Sequence, residues 1–158
     1  MPKTESKDKA GELQIVSFRV DQEEYAVEIS KIIEIIYYKA ARPLPQSPAF
    51  IEGVVDLRGI VIPVLDLKKR LRLSSKNAGA PNHILIVRFG NKRVGIVVDE
   101  VKQVLVIHEG QIQSPQTLIK GGGSKHLRGI CKVHDQLIFI LSLDTLLSDD
   151  EQAQLREI

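Results

Sequence analysis

The sequence has no tryptophan, one methionine and one cysteine, and only 4% of its residues are aromatic. The lone Cys131 cannot form an intramolecular disulfide, so a disulfide-stapled secreted scaffold is excluded and a reducing, cytoplasmic setting is expected. Scarce aromatics leave few platforms for stacking nucleic-acid bases. Charge gives no such surface either: 22 basic residues stand against 20 acidic ones, a net charge of +2, with no basic stripe. The densest positive cluster, Lys68-Lys69-Arg70 with Arg72, reads as a solvated helix face. The uncharged run Gly59–Leu65 is far shorter than the ~20 residues that span a bilayer. Residues 1–11 lack the apolar core of a signal peptide and read as a disordered tail.

Catalytic and metal-binding patterns are also missing. His83, His108, His126 and His134 stand at no metal-ligand spacing with one another or with the cysteine. Gly121-Gly122-Gly123-Ser124-Lys125 has Ser before Lys, the reverse of a phosphate-binding loop, and reads as a surface loop. Cys131 falls inside an expected strand with no activating neighbour, as a small buried apolar residue would. No nucleophile, base or metal set is assembled, so neither an enzyme nor a cofactor is expected.

What the chain does have is Ile and Val, within a hydrophobic fraction of 43%. β-branched side chains suit a pleated surface. Alternation through Gln14–Val20 and Tyr25–Ile29 around Asp21-Gln22-Glu23-Glu24 predicts a hairpin. Ser30–Ile36 reads as one helical turn or a strand. Three prolines make 41–48 an extended loop or edge strand. Phe50–Leu67 then reads as two strands around a tight Arg58-Gly59 turn, with Asp66 capping a short helix. The segment from Leu73 to Asn82, rich in Ser, Gly, Ala and Asn, is the expected linker.

The pattern then restarts. Ile84–Phe89 and Val94–Val98 are strands around Gly90-Asn91-Lys92. Setting Phe18 over Val87 places Ala26 over Gly95, Ser30 over Asp99 and Ile32 over Val101 without a gap. A degraded copy of the Arg-Gly segment runs from Leu127 to Asp144: Gly, strand, polar turn, apolar strand, Leu-Asp, apolar helix. Such repetition implies two units of the same supersecondary structure. Closing each five-stranded sheet into a barrel removes its edges. The expected fold is therefore mainly β, two small five-stranded barrels with a pseudo-twofold relation and a few short helices. The domain spans 12–147, with one unit at about 14–72 and the other at about 83–147. A short C-terminal helix at 148–158 opens with a capping box, Ser148 with Glu151.

Asp66 and Asp144 occupy matching places in the two copies, which favours helix caps over paired catalytic carboxylates. Arg58, at a turn between apolar strands, serves either solubility or recognition of a partner's carboxylates or carbonyls. Glu34, inside Ile32-Ile33-Glu34-Ile35-Ile36, is either a solvent-facing strand residue or one charged pin on an apolar docking surface.

The stretches Gly53–Leu67 and Val94–Asp99, with Tyr25–Ile29 and Glu34-Ile35, resemble the CheW family of bacterial chemotaxis adaptors. The similarity covers roughly Glu12 to Leu147. One departure is Asp56, where the family more often has Asn. The resemblance implies two SH3-like five-stranded barrels, no catalysis, and a cytoplasmic adaptor joining chemoreceptor tips to the regulatory domain of the histidine kinase CheA. It associates the positions of Arg58 and Glu34 with those contacts. It also implies a receptor-binding groove lined or bordered by Ile32, Ile84, Gly95 and Val101, and ring or array assembly without nucleic acid or membrane insertion. The competing readings are a CheW-like adaptor of another motility or signalling pathway and, in a different class, a small-barrel nucleic-acid-binding protein.

Overall fold

The computed structural model describes residues 11–73, 80–115 and 126–155. Most of the expected tail, linker and glycine loop, with residues 156–158 of the C-terminal segment, lies outside these residues. These residues hold ten strands: β1 (Glu12–Val20), β2 (Glu23–Glu28), β3 (Ile32–Tyr37), β4 (Ile51–Leu57), β5 (Ile60–Asp66), β6 (His83–Phe89), β7 (Lys92–Val98), β8 (Glu100–His108), β9 (Leu127–Val133) and β10 (Gln136–Leu141). Among the described residues three short helices accompany them, α1 (Leu67–Arg70), α2 (Leu143–Leu146) and α3 (Asp149–Gln154), with 3-10 turns at Ile29–Lys31 and Glu109–Gln111. Ser30 thus belongs to a single turn, and the β-branched residues after it form the strand β3.

Two five-stranded sheets result, ordered β8-β1-β2-β10-β9 and β3-β6-β7-β5-β4. Their ladders match strand for strand. In each, an edge strand pairs antiparallel with a hairpin, the hairpin's second strand pairs parallel with the next, and that strand pairs antiparallel with the far edge. The pseudo-twofold repeat is therefore present. The sheets do not, however, follow the consecutive halves 14–72 and 83–147. Hairpin β1–β2 completes the sheet of β8, β9 and β10, and hairpin β6–β7 completes that of β3, β4 and β5. The two repeats have exchanged their first hairpins.

The barrels are also not closed by continuous ladders. The chain leaving β3 returns to the far edge through one residue, Arg42, whose N–H and carbonyl both pair with Val54 on β4. Gln113 does the same with Ile130 on β9. Pro43 and Pro115 follow closely and lack the donor that would extend either ladder. Glycine is required under each crossing: a Cβ on Gly53 would run into the Arg42 carbonyl, and one on Gly129 into the Ile112 side chain.

Three apolar clusters fill this frame. Leu13, Ile15, Ala26, Ile107, Cys131, Ile138 and Ile140 fill the first sheet, and Val55, Leu57, Ile62, Val64, Ile84 and Ile86 the second. Alternate residues of the same strands face the other way. Phe18, Val20, Tyr25 and Val27 meet Leu85, Val87, Phe89, Val94, Ile96 and Val98 in a core shared by both sheets. Full burial of one such side chain is worth about 1.5–3 kcal/mol, so the shared core joins the sheets firmly. Leu155, beyond α3, packs on it too.

The helix caps divide. The Asp66 side chain accepts the Lys68 N–H at 2.9 Å, as expected. Asp144 caps nothing: the N-cap of α2 is Ser142, and Asp144 lies within the first turn. In the second copy Ser142 and Leu143 stand between the end of the strand and the aspartate, which places Asp144 two positions past the cap. Ser148 and Glu151 form the expected reciprocal capping box on α3.

Candidate functional site

The β4–β5 connection is a two-residue turn with Arg58 at φ 53° and Gly59 at φ 88°. Both angles fit the twist of a tight hairpin. Glycine takes this conformation freely, but an arginine must be held in it. Asp56 Oδ1 accepts the Gly59 N–H at 2.9 Å, closing the turn from inside. Lys39 donates to the Asp56 carbonyl and ties the segment after β3 to the same corner.

So held, the Arg58 guanidinium reaches Glu34 on β3. Nη1 donates to Oε2 at 3.0 Å and Nη2 to Oε1 at 2.7 Å, a two-pronged pair. The hydrogen bonds from Arg58 hold the Glu34 carboxyl below the usual carboxylate range; desolvation opposes them, and the charges of Arg58 and Arg93 add to the lowering. The pair is open to solvent, with side-chain exposures of 69% for Arg58 and 31% for Glu34. The Asp56 carboxylate is occupied by the turn amide, so the guanidinium answers to Glu34 instead.

The strands that carry Glu34 and follow Arg58 also expose apolar residues. Ile35, Tyr37, Ile60 and Val61 are all exposed, Tyr37 to 80%. The Tyr37 ring stacks on His83 at 5.5 Å, and His83 Nδ1 accepts the Val101 N–H at 3.4 Å.

The four expected groove residues separate into two kinds. Ile32 and Val101 are half-buried and pack against the edge of the shared core. Ile84 is fully buried inside the second sheet's own cluster. Gly95 lies behind it, where a Cβ would come within 2.9 Å of Ile84 Cγ2 and 3.2 Å of Val64 Cγ2. Ile84 and Gly95 therefore offer no side-chain surface to line a groove; they shape the strand beneath. The continuous apolar run Ile84-Leu85-Ile86-Val87 carried this signal, because a strand buried on both faces loses its alternation.

The sequence reading also missed the outer residues of β8. Val104 and Val106 are 54% and 55% exposed. Val104 pairs with buried Val16, and on the other sheet exposed Ile35 pairs with buried Leu85. Extending the Phe18–Val87 alignment places Ile35 over Val104 and Tyr37 over Val106, which was the available signal. Each sheet thus carries exposed apolar residues on its edge strand at matching positions. One of these two edge strands, β3, also carries Glu34 of the ion pair. Among the described residues no three His, Cys, Asp or Glu gather to hold a metal ion. Burial raises the Cys131 thiol pKa, which disfavours its reactive thiolate. No helix is long and apolar enough to cross a membrane among the described residues.

Comparison with known proteins agrees with this geometry. The chemotaxis protein CheW of Bacillus subtilis is 32% identical over 146 residues, covering 92% of each chain. That of Treponema pallidum is 27% identical over 151 residues, covering 93% of this chain and 89% of its own. The crystal structure of the scaffolding protein TtCheW from Thermoanaerobacter tengcongensis superposes with a TM-score of 0.76 at 32% identity, over 87% of this chain and 94% of that one. A family model described as the CheW-like domain matches residues 14–151, and with nearly all its described strands inside that match the chain belongs to the CheW-like domain family.

Proposed function

We propose that this protein is a non-enzymatic, cytoplasmic adaptor that couples chemoreceptor cytoplasmic tips to the histidine kinase CheA. The observation that carries the reading is the Arg58–Glu34 pair, held by its turn on strands that also expose Ile35, Tyr37 and Val61. A planar guanidinium on a rigid mount suits recognition of a partner's carboxylates or carbonyls, and an exposed apolar rim excludes water around it. Arg58 and Glu34 take part in the kinase or receptor contact. Ile32 and Val101, with Ile84 and Gly95 shaping the strands beneath, belong to a groove that receives an amphipathic receptor helix through its apolar face. Matching edges on the two sheets support repeated contacts, and repetition in a ring or array makes weak contacts strong.

Reconstitution tests this directly. Purified protein, a CheA kinase and receptor cytoplasmic fragments should co-sediment as a ternary assembly with raised kinase output. Absence of this protein from the sediment at micromolar concentrations would overturn the proposal.

A further inference from the structure

The basic cluster on α1 is engaged within the molecule. Lys68 brings its ammonium to 3.2 Å from buried Asp99, Lys69 lies 3.0 Å from Glu52, and Arg70 lies 2.7 Å from Glu151. Lys68 and Arg70 thus belong to internal ion pairs and not to a solvated helix face. Arg88 and Arg93 are different. Both are exposed, and among the described residues neither forms a hydrogen bond or an ion pair. They stand directly opposite each other on the antiparallel strands β6 and β7. Cross-strand partners share a face, with Cβ atoms about 4.5–5.5 Å apart, and like charges so placed are destabilising. The first hairpin has no such conflict. The alignment of Phe18 with Val87 sets Arg19 over Arg88 and Glu24 over Arg93, and Arg19 faces Glu24 across β1 and β2. Opposite charges occupy the place there, like charges here.

The arginine pair borders the site already described. Across the second sheet Glu34 is the partner of Ile86, and Ile86 in turn is the partner of Gly95. Arg88 and Arg93 lie two residues away from Ile86 and Gly95 along the same strands, hence on the same face, where the sheet's buried cluster gives way to solvent. Arg93 is near enough for its charge to act on the Glu34 carboxyl. Strands β3 and β4 are the two edges of this sheet, so the Arg58–Glu34 pair spans its open side. The two carboxylates of this corner are both occupied, Glu34 by Arg58 and Asp56 by the Gly59 N–H. That leaves the charges of Arg88 and Arg93 facing outward without a partner in the fold.

We propose that Arg88 and Arg93, beside the Arg58–Glu34 pair, receive an acidic helix of a partner protein that carries two carboxylates three or four residues apart. Such residues have Cβ atoms about 5–6 Å apart, close to the cross-strand spacing of the two arginines. The carboxylates repel each other on their helix as the arginines do on their hairpin, so contact relieves both conflicts. The planar fork of each guanidinium matches a carboxylate. Strand β5, the neighbour of β7, exposes Ile60 and Val61, which suit a protein surface better than a phosphate backbone. The inference rests on the adaptor reading only for which protein supplies the helix.

Arg88→Gln with Arg93→Gln removes both charges and leaves Arg58 and Glu34 in place. Its affinity for receptor cytoplasmic fragments and for CheA, measured separately by calorimetry, should fall about tenfold or more for one of the two. Arg88→Glu rebuilds the opposed charges of the first hairpin, so its thermal midpoint should rise by about 1–4 °C while the same affinity falls. A helical peptide with Glu at positions i and i+4 probes the surface without either protein. It should shift the Arg88 and Arg93 Nε–H signals in NMR spectra, and the same peptide with Gln should not. Should the native protein bind neither kinase nor receptor, the adaptor reading fails and the peptide decides the surface alone. Native affinity of the double variant for both proteins, a midpoint of Arg88→Glu that does not rise, or equal shifts from the Gln peptide or from inorganic phosphate would overturn the acidic-helix site.

Discussion

Arg58 and Glu34 lie on different strands, 24 positions apart in sequence, and meet through two parallel hydrogen bonds on the surface. Arg58 owes its place to a turn that an L-residue rarely adopts, and Glu34 owes its place to an edge strand. Neither side chain supports a core. Such a pair is either idle or meant for another molecule, and the following outcomes distinguish these uses.

Arg58→Ala should leave the fold intact, because the side chain is mostly solvated. Assembly with kinase and receptor should fall about tenfold or more, the usual loss on truncating an interface arginine that costs over ~1.4 kcal/mol. The exchange Arg58→Glu with Glu34→Arg restores the internal pair but presents it reversed, and should not restore assembly. Native-level co-sedimentation of either variant would remove Arg58 from the docking surface.

Asp56 should act on Arg58 without touching the partner. Asp56→Ala frees the Gly59 amide and lets the turn relax, so Gly59 hydrogen exchange should accelerate and assembly should weaken in the direction of Arg58→Ala. Asp56→Asn keeps an acceptor oxygen and should restore both. Equal behaviour of the two variants would show that the turn bond positions nothing.

The Glu34 carboxyl should titrate below its ordinary value of 4.5, and Arg58→Ala should return it there. A carboxyl whose folded-state pKa is depressed adds stability above its unfolded pKa and loses it as pH falls through the lower, folded one. The pair is therefore intact at neutral pH and opens only under acid. Carbon-detected NMR titration of Glu34 in both proteins measures this; coincident midpoints would mean that the ion pair does not persist in solution.

Gly95 and Ile84 should respond as core residues. Ile84→Ala should cost about 2–5 kcal/mol in urea unfolding. Gly95→Ala should cost about 1–3 kcal/mol through the contact with Ile84 Cγ2. Because the two sites touch, combining Gly95→Ala with Ile84→Ala, which removes Cγ2, should cost less than the sum of the single changes. Strict additivity would show that the added methyl is accommodated elsewhere.

Much of the fold was legible because apolar alternation survives in β1, β2, β7 and the β4–β5 hairpin, and because Phe18 aligns with Val87 without a gap. Alternation does not say which sheet a strand joins, so the exchanged hairpins were invisible: each half carries the same pattern whichever partner it pairs with. Strand β8 was hidden for a related reason. It is paired on one side only and exposes Val104 and Val106, so its pattern Glu-Val-Lys-Gln-Val-Leu-Val-Ile lacks a clean polar face. At the candidate site, residue type pointed to Arg58 and Glu34 separately. Their contact depended on the turn angles and on the edge position of β3, neither of which a local spacing records.

The exchanged hairpins also impose an order of assembly. Every strand of the second sheet has been synthesised once Val98 is made, whereas the first sheet lacks its closing member until Leu141 is made. As the chain emerges from the ribosome, β1 and β2 appear first and find their partners last. Until then Leu13, Ile15 and Ala26 have no lid, and the opening hairpin is the part of the newborn chain most in need of protection.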